Sequence, residues 1–255
     1  MIMEKWEFAI EKFLEDYKKE DYFVGAILTG SYATGNQSIN SDIDIYIITK
    51  DDITWRERGN KLVNGYLIEY FINPIKKINE YMEKEQKNYH ISTTRIFANG
   101  KIIIDKTGEV ELLINQAEKY LKKDFEDLDE GTYKMNCYGV WDGFDELEEK
   151  YKRKEDIDFS YYIFIERVIN SYFQNSKLAS VPLNKIEYIL KDEEYRKKYN
   201  INKLPDEKYI ELLLKCLTEK DYDKKFENAK NIYEYFLETF KDFDINNFSL
   251  RSSVE

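Results

Sequence analysis

Cysteine, histidine and proline are scarce in this chain, and cations are outnumbered. Two cysteines, Cys137 and Cys216, leave room for one disulfide but for no disulfide framework and no zinc-type cluster. The single histidine, His90, has no Cys or His neighbour, marks no metal site and reads as ordinary surface. No stretch approaches the roughly 18 apolar residues that a membrane-spanning helix needs. The opening MIMEKWEFAI has acids where a signal peptide carries its basic region, and its apolar run is broken. A soluble, cytoplasmic protein is therefore expected. Lys and Arg number 39 against 50 Asp and Glu, a formal net charge of −11. That balance argues against broad nucleic-acid binding, which needs clustered cations to displace counterions. It suits a small positively charged substrate, and it also serves plain solubility.

What is abundant is aromatic surface: 22 Tyr, 15 Phe and 3 Trp in 255 residues. Such a chain can bury a sizeable core and is not disordered. Trp6, Ile10, Phe13, Leu14 and Tyr17 recur at helical spacing, which predicts an amphipathic helix over 4–19. The run from Phe23 to Leu28 predicts a buried strand, and a loop rich in Gly, Ser, Thr and Asn spans Gly30 to Ser41. A second strand is expected from Ile43 to Ile48, a short helix over 54–63, and a third strand from Tyr66 to Ile72, stopped by Asn73-Pro74. A helix follows from Ile75 to about Asn88. Thr93–Ala98 and Lys101–Ile104 flank Asn99-Gly100, a strong hairpin signal, though a helix end followed by one strand fits equally.

Beyond Glu109 the strand signals fade, and residues 109–123, 133–152, 157–174, 183–192, 205–219 and 223–241 read as helices, with Pro182 and Pro205 at the starts of two. The acidic DFEDLDEG stretch is the best boundary. The expected class is α+β: a mixed sheet with flanking helices over 1–125, then an all-helical domain over 126–255.

The informative segment is Gly30-Ser31-Tyr32-Ala33-Thr34-Gly35, then Asn36 to Ser41, then Asp42-Ile43-Asp44. On a strand, residues i and i+2 share a face, so Asp42 and Asp44 stand side by side. Their repulsion is relieved by a hard divalent cation such as Mg²⁺, which takes few carboxylates and completes its shell with phosphate and water oxygens. Glycine at the end of the preceding strand lets the backbone approach a ligand, and Ser31 and nearby N–H groups can donate to phosphate. Glu69, an acid within the apolar YLIEYFI, is costly in a core. It either joins the Asp pair as metal ligand or proton acceptor, or points to solvent from a strand with one wet face.

The segment GSYATGNQSINSDIDIYI, with Asp42 eleven positions after Ser31, resembles the nucleotidyltransferase superfamily with the DNA polymerase β-like fold, over about residues 22–72. The resemblance implies that an NTP, ATP or another, binds with two Mg²⁺ ions and that a substrate hydroxyl attacks its α-phosphorus, releasing pyrophosphate. It implies Asp42, Asp44 and Glu69 as metal and catalytic residues, and Gly30, Ser31 and Ser41 as holders of the triphosphate. A small transferase half with a helical half looks like the antibiotic nucleotidyltransferases, which modify aminoglycosides or lincosamides. In that group the helical half closes over the cleft and supplies substrate and nucleotide contacts, and some members place the catalytic base there. On that model Asp142 and Asp145, within the acidic run that continues through Glu146, Glu148 and Glu149, are candidates for a cationic acceptor. Lys185, with Lys177 and Arg95 behind it, is a candidate for the triphosphate. Each has an ordinary alternative as a solvated side chain. The rival readings are a protein side chain or RNA end as acceptor, and a non-catalytic nucleotide-binding module. A monomer or a symmetric homodimer is expected.

Overall fold

The computed structural model describes residues 5–251. It divides into two compact units. One runs to Lys123 and includes Lys197–Asn200, and the other comprises Asp124–Arg196 and the chain from Ile201 onward. No described helix is long and apolar enough to cross a membrane.

In the first unit the order is α1 (Lys5–Leu14), β1 (Phe23–Thr29), α2 (Gly30–Thr34), β2 (Ile43–Thr49), β3 (Glu57–Val63), β4 (Tyr66–Pro74), α3 (Ile75–Lys87), α4 (Ser92–Ala98), β5 (Lys101–Asp105) and α5 (Glu109–Leu121). The five strands form one mixed sheet in the order β3-β4-β2-β1-β5. β1 is antiparallel to β2 and β5, β3 is antiparallel to β4, and β2 runs parallel to β4.

Alternation along β2 builds two apolar layers. Ile43, Ile45 and Ile47 pack with Ala26, Leu28, Ile68 and Ile72 against Ala9, Ile10, Phe13 and Leu14 of α1. Tyr46 and Ile48 face the other way, into a layer with Ile78 and Met82 of α3, Phe97 of α4, and Val110, Leu113 and Ala117 of α5. Asp44 shares that second face at the end where β2 begins, so it stands at the rim of an apolar layer.

Several elements differ from the sequence expectations. Residues 57–63, inside the expected helix 54–63, are the edge strand β3. Of its seven residues only Val63 is buried, so the strand carries no apolar alternation to be read. Asn64 (φ 51°) and Gly65 (φ 85°) form the two-residue turn that returns the chain into β4, both in the left-handed region such hairpins require. Asn99-Gly100 is not a hairpin: of the two readings, the helix end followed by one strand is the one found, as α4 and β5. The first helix stops at Leu14, and Tyr17–Lys19 is a separate 3₁₀ turn. The expected loop after β1 opens with the single turn α2.

The second unit contains α6 (Glu130–Lys152), α7 (Asp158–Asn175), a 3₁₀ turn at Leu183–Lys185, α8 (Ile186–Lys191), α10 (Glu207–Thr218), α11 (Tyr222–Thr239) and all of α9 (Glu193–Lys198) but its last two residues. Its core is rich in rings: Tyr172 stacks on Tyr209 at 3.5 Å, Tyr151 on Phe226 at 3.8 Å and Phe144 on Tyr233 at 4.2 Å between centroids. α6 starts before residue 133 because Asp129 caps it, accepting from the Thr132 N–H at 2.9 Å. Asp206 caps α10 by accepting from the Tyr209 N–H at 2.9 Å, and it also accepts from the Tyr172 hydroxyl at 2.5 Å and the Tyr235 hydroxyl at 2.7 Å. Burial pushes its carboxyl up, but these hydrogen bonds outweigh burial and hold it below the usual carboxylate range.

Asp206→Ala removes a helix cap and orphans two tyrosine hydroxyls, which together should cost about 2 kcal/mol in urea unfolding at neutral pH. A lowered carboxylate pKa stabilises the fold above the unfolded value, so the gap between wild type and variant should narrow as the pH falls through the acid range.

Candidate active site

The sheet register brings the acids together. Asp44 of β2 is the partner of Thr29 on β1 and of Glu69 on the parallel strand β4. Asp42 lies two residues before Asp44, at the mouth of β2. One carboxylate oxygen from each of Asp42, Asp44 and Glu69 lies within 4.8 Å of the others. Among the described residues no other group of three His, Cys, Asp or Glu side chains converges in this way.

All three acids are partly buried. Burial first, and then the charges of Asp42 and Glu69, raise the Asp44 carboxyl from the ordinary 3.8 to about 6. A small divalent cation with oxygen bonds near 2.1 Å spans about 4.2 Å between opposite ligands. The three oxygens, within 4.8 Å of one another, lie close enough together to share such an ion. Hard oxygen donors held against their own repulsion fit Mg²⁺ in donor type, charge and size.

Gly30 borders this cluster. Its φ is +64°, and a Cβ placed on it would lie 1.9 Å from Oδ2 of Asp44. Glycine is thus required twice, for the backbone and for room beside the carboxylate. The turn it begins is anchored from below: Tyr32 is buried and its ring lies 5.3 Å from that of Trp6. Ser31 is partly buried and follows Gly30 in α2. The Thr34 hydroxyl closes the turn by donating to the Gly30 carbonyl at 3.2 Å. The Ser41 hydroxyl is occupied within its own loop, accepting from the Ser38 N–H at 2.8 Å.

The strand that had been expected as helix adds a residue to the site. Arg58 of β3 donates to Oε1 of Glu69 from Nη2 at 2.6 Å and from Nε at 3.1 Å. The usable signal was Asn64-Gly65, which marks the hairpin that brings Arg58 alongside β4.

The other candidates belong to the second unit, except Arg95, which is partly buried in α4, and His90, which is exposed after α3. Asp142 of α6 is ion-paired with Arg167 at 3.1 Å. Asp145 is exposed on the same helix and raises the hydroxyl of neighbouring Tyr233, second to burial. Glu146 pairs with Lys150 at 3.3 Å, Glu148 with Lys152 at 2.7 Å, and Glu149 with Arg153, so the glutamates of this run are matched one turn along. Lys185 is exposed in the 3₁₀ turn, its ammonium 5.9 Å from the ring centre of Tyr188. Lys177 pairs with Asp127. Cys137 and Cys216 are both buried free thiols.

Two outcomes follow for the metal-free protein. Gly30→Ala forces a left-handed alanine against a carboxylate and should lower stability by about 1 kcal/mol or more in chemical unfolding. An acid whose folded pKa is raised costs the fold stability once the pH exceeds the unfolded value, and the full cost is reached above the folded one. Thermal melts in chelator should therefore show Asp44→Asn more stable than wild type at pH 8, with the difference closing as pH falls from about 6 toward 4.

Residues 10–105 match the family model described as "Nucleotidyltransferase domain". Among solved structures, a nucleotidyltransferase-like protein from Exiguobacterium sibiricum 255-15 is similar at 12% identity and a TM-score of 0.47, over 92% of this chain and 75% of that one. No curated protein matches the chain. The nucleotidyltransferase domain match thus falls on the segment that holds Gly30, Ser31, Asp42, Asp44 and Glu69.

Proposed function

We propose that this chain transfers a nucleotidyl group, AMP from ATP in the first instance, to a hydroxyl of a small cationic acceptor of the aminoglycoside type. The observation that carries nucleotidyl transfer is the convergence of Asp42, Asp44 and Glu69 beside the Gly30-Ser31 turn. The match of residues 10–105 to the nucleotidyltransferase domain model supports the same chemistry.

On this reading Asp42, Asp44 and Glu69 hold Mg²⁺, two ions being expected. When bound, the metal neutralises the phosphate oxygens and the charge that develops on pyrophosphate. Gly30 lets the triphosphate approach the backbone, and Ser31 donates to a phosphate oxygen. The acceptor hydroxyl forms the new bond to the α-phosphorus as the α–β bridging P–O bond breaks, and pyrophosphate departs. An oxygen of Glu69 takes the hydroxyl proton. Most of the rate gain comes from positioning and charge complementarity.

The aminoglycoside class is supported by the net charge of −11, which favours a polycation over an RNA end. Asp145 is the better of the two acids proposed for it, because Asp142 already has Arg167 as its partner. Lys185 and Ser41 are proposed for the triphosphate, the Ser41 hydroxyl also accepting from the Ser38 N–H within its loop.

Pyrophosphate release tests the reading, measured with each NTP against a panel of aminoglycosides, lincosamides, proteins and RNA ends. Asp42→Ala and Asp44→Ala should fall to background while remaining folded. Glu69→Gln should lower kcat about 100-fold or more, the usual contribution of a positioned base, with a smaller change in KM for the NTP. Transfer at near wild-type rates by either alanine variant would refute the metal assignment.

A further inference from the structure

We infer that Arg58 is a positioning residue for Glu69, engaging one oxygen of that carboxylate so that the other faces the metal and the acceptor hydroxyl. The inference rests on the nucleotidyl-transfer reading and extends it to a residue of the edge strand.

Both donor groups of Arg58 reach the same atom, Oε1, at 2.6 and 3.1 Å. A guanidinium that spreads over both carboxylate oxygens gives the strongest pair. This one instead distinguishes the two oxygens, and it limits rotation of a side chain that would otherwise exchange them. The guanidinium is itself held in place. Its central carbon lies 4.8 Å from the ring centre of Phe71, its direct cross-strand partner. β3 is fastened to β4 on the opposite face, where the Tyr70 hydroxyl donates to Glu57 at 2.6 Å. Gly59 permits this, since a Cβ there would lie 2.6 Å from the Tyr70 hydroxyl oxygen.

Stability is a poor explanation for the pair. The Arg58 side chain is 68% exposed against 20% for Glu69, and ion pairs with so much solvent contribute little. Placement gives a better one: the guanidinium stands on a carboxylate whose oxygen belongs to the cluster with Asp42 and Asp44.

The test is a double-mutant cycle of wild type, Arg58→Ala, Glu69→Gln and the combined variant, with Arg58→Lys alongside. Mn²⁺ binding to the nucleotide-free protein is read by electron paramagnetic resonance. Pyrophosphate release is read with MgATP and kanamycin, and thermal midpoints are recorded for every variant. Arg58→Ala removes a positive charge near the ion, so electrostatics alone would tighten Mn²⁺ binding. Positioning predicts the reverse: Mn²⁺ affinity and kcat each fall about tenfold or more. The ATP KM and the thermal midpoint stay unmoved, and no further loss appears in the Glu69→Gln background. Arg58→Lys should recover part of the loss, because an ammonium can reach one oxygen but lacks the planar fork. Should Arg58→Ala lose its folded signal, Arg58→Gln carries the same comparison. Tighter Mn²⁺ binding, losses that multiply in the combined variant, or wild-type behaviour of Arg58→Ala would each overturn the inference while leaving the transfer reading intact. A wild type that neither binds Mn²⁺ nor releases pyrophosphate overturns the transfer reading, and the role of Arg58 with it.

Discussion

Like charges do not gather in a half-buried place unless the fold compels them to, and here the compulsion is the pairing of β2 with its two neighbours. Antiparallel pairing with β1 sets Thr29, and with it the turn at Gly30, beside Asp44. Parallel pairing with β4 sets Glu69 on the other side. A slip of one residue in either register would send the side chains to the opposite face, into the layer covered by α1. The same pairing places Tyr46 behind the acids, stacked on Phe71 at 5.7 Å and edge-on to Phe97 at 4.9 Å. Burial, with the charges of Asp42 and Glu69 behind it, raises the Asp44 carboxyl at this place. Burial in the apolar layers offsets the repulsion among the acids.

Much of this was legible in the sequence because the determining signals were local. Asp-x-Asp on an Ile-rich strand declares a shared face, and a glycine at the end of the preceding apolar run declares a close approach. The partnership of Glu69 with Asp44 was readable only as an option, since no local pattern states which strands will be parallel neighbours. β3 was misread for a physical reason. An edge strand with a single buried residue has no period to detect, and its glutamate, arginine and lysine read as a solvated helix. Its evidence lay in the adjoining turn: of the two Asn-Gly pairs, only Asn64-Gly65 has both residues in the left-handed region.

The helical unit illustrates the converse. Its acidic run on α6 invites a functional reading, yet lysines and arginine one turn away answer its glutamates. What organises this unit is the ring stacking inside it and the capping of its helices by Asp129, Asp206 and Asp221. Apolar spacing declared the longer helices of this unit, whereas the short α9 (Glu193–Lys198), the 3₁₀ turn at Leu183–Lys185 and the side-chain roles had no such local signal.

The contact between Gly30 and Asp44 has a consequence for how this chain can drift. Each position restrains the other: no side chain fits at 30 while a carboxylate occupies 44. Once the acid is lost and a smaller residue takes its place, the spatial objection disappears and only the backbone preference remains. Descendants that abandon the chemistry should therefore surrender the acid before the glycine, and the order of decay in such a lineage would be written into these two sites.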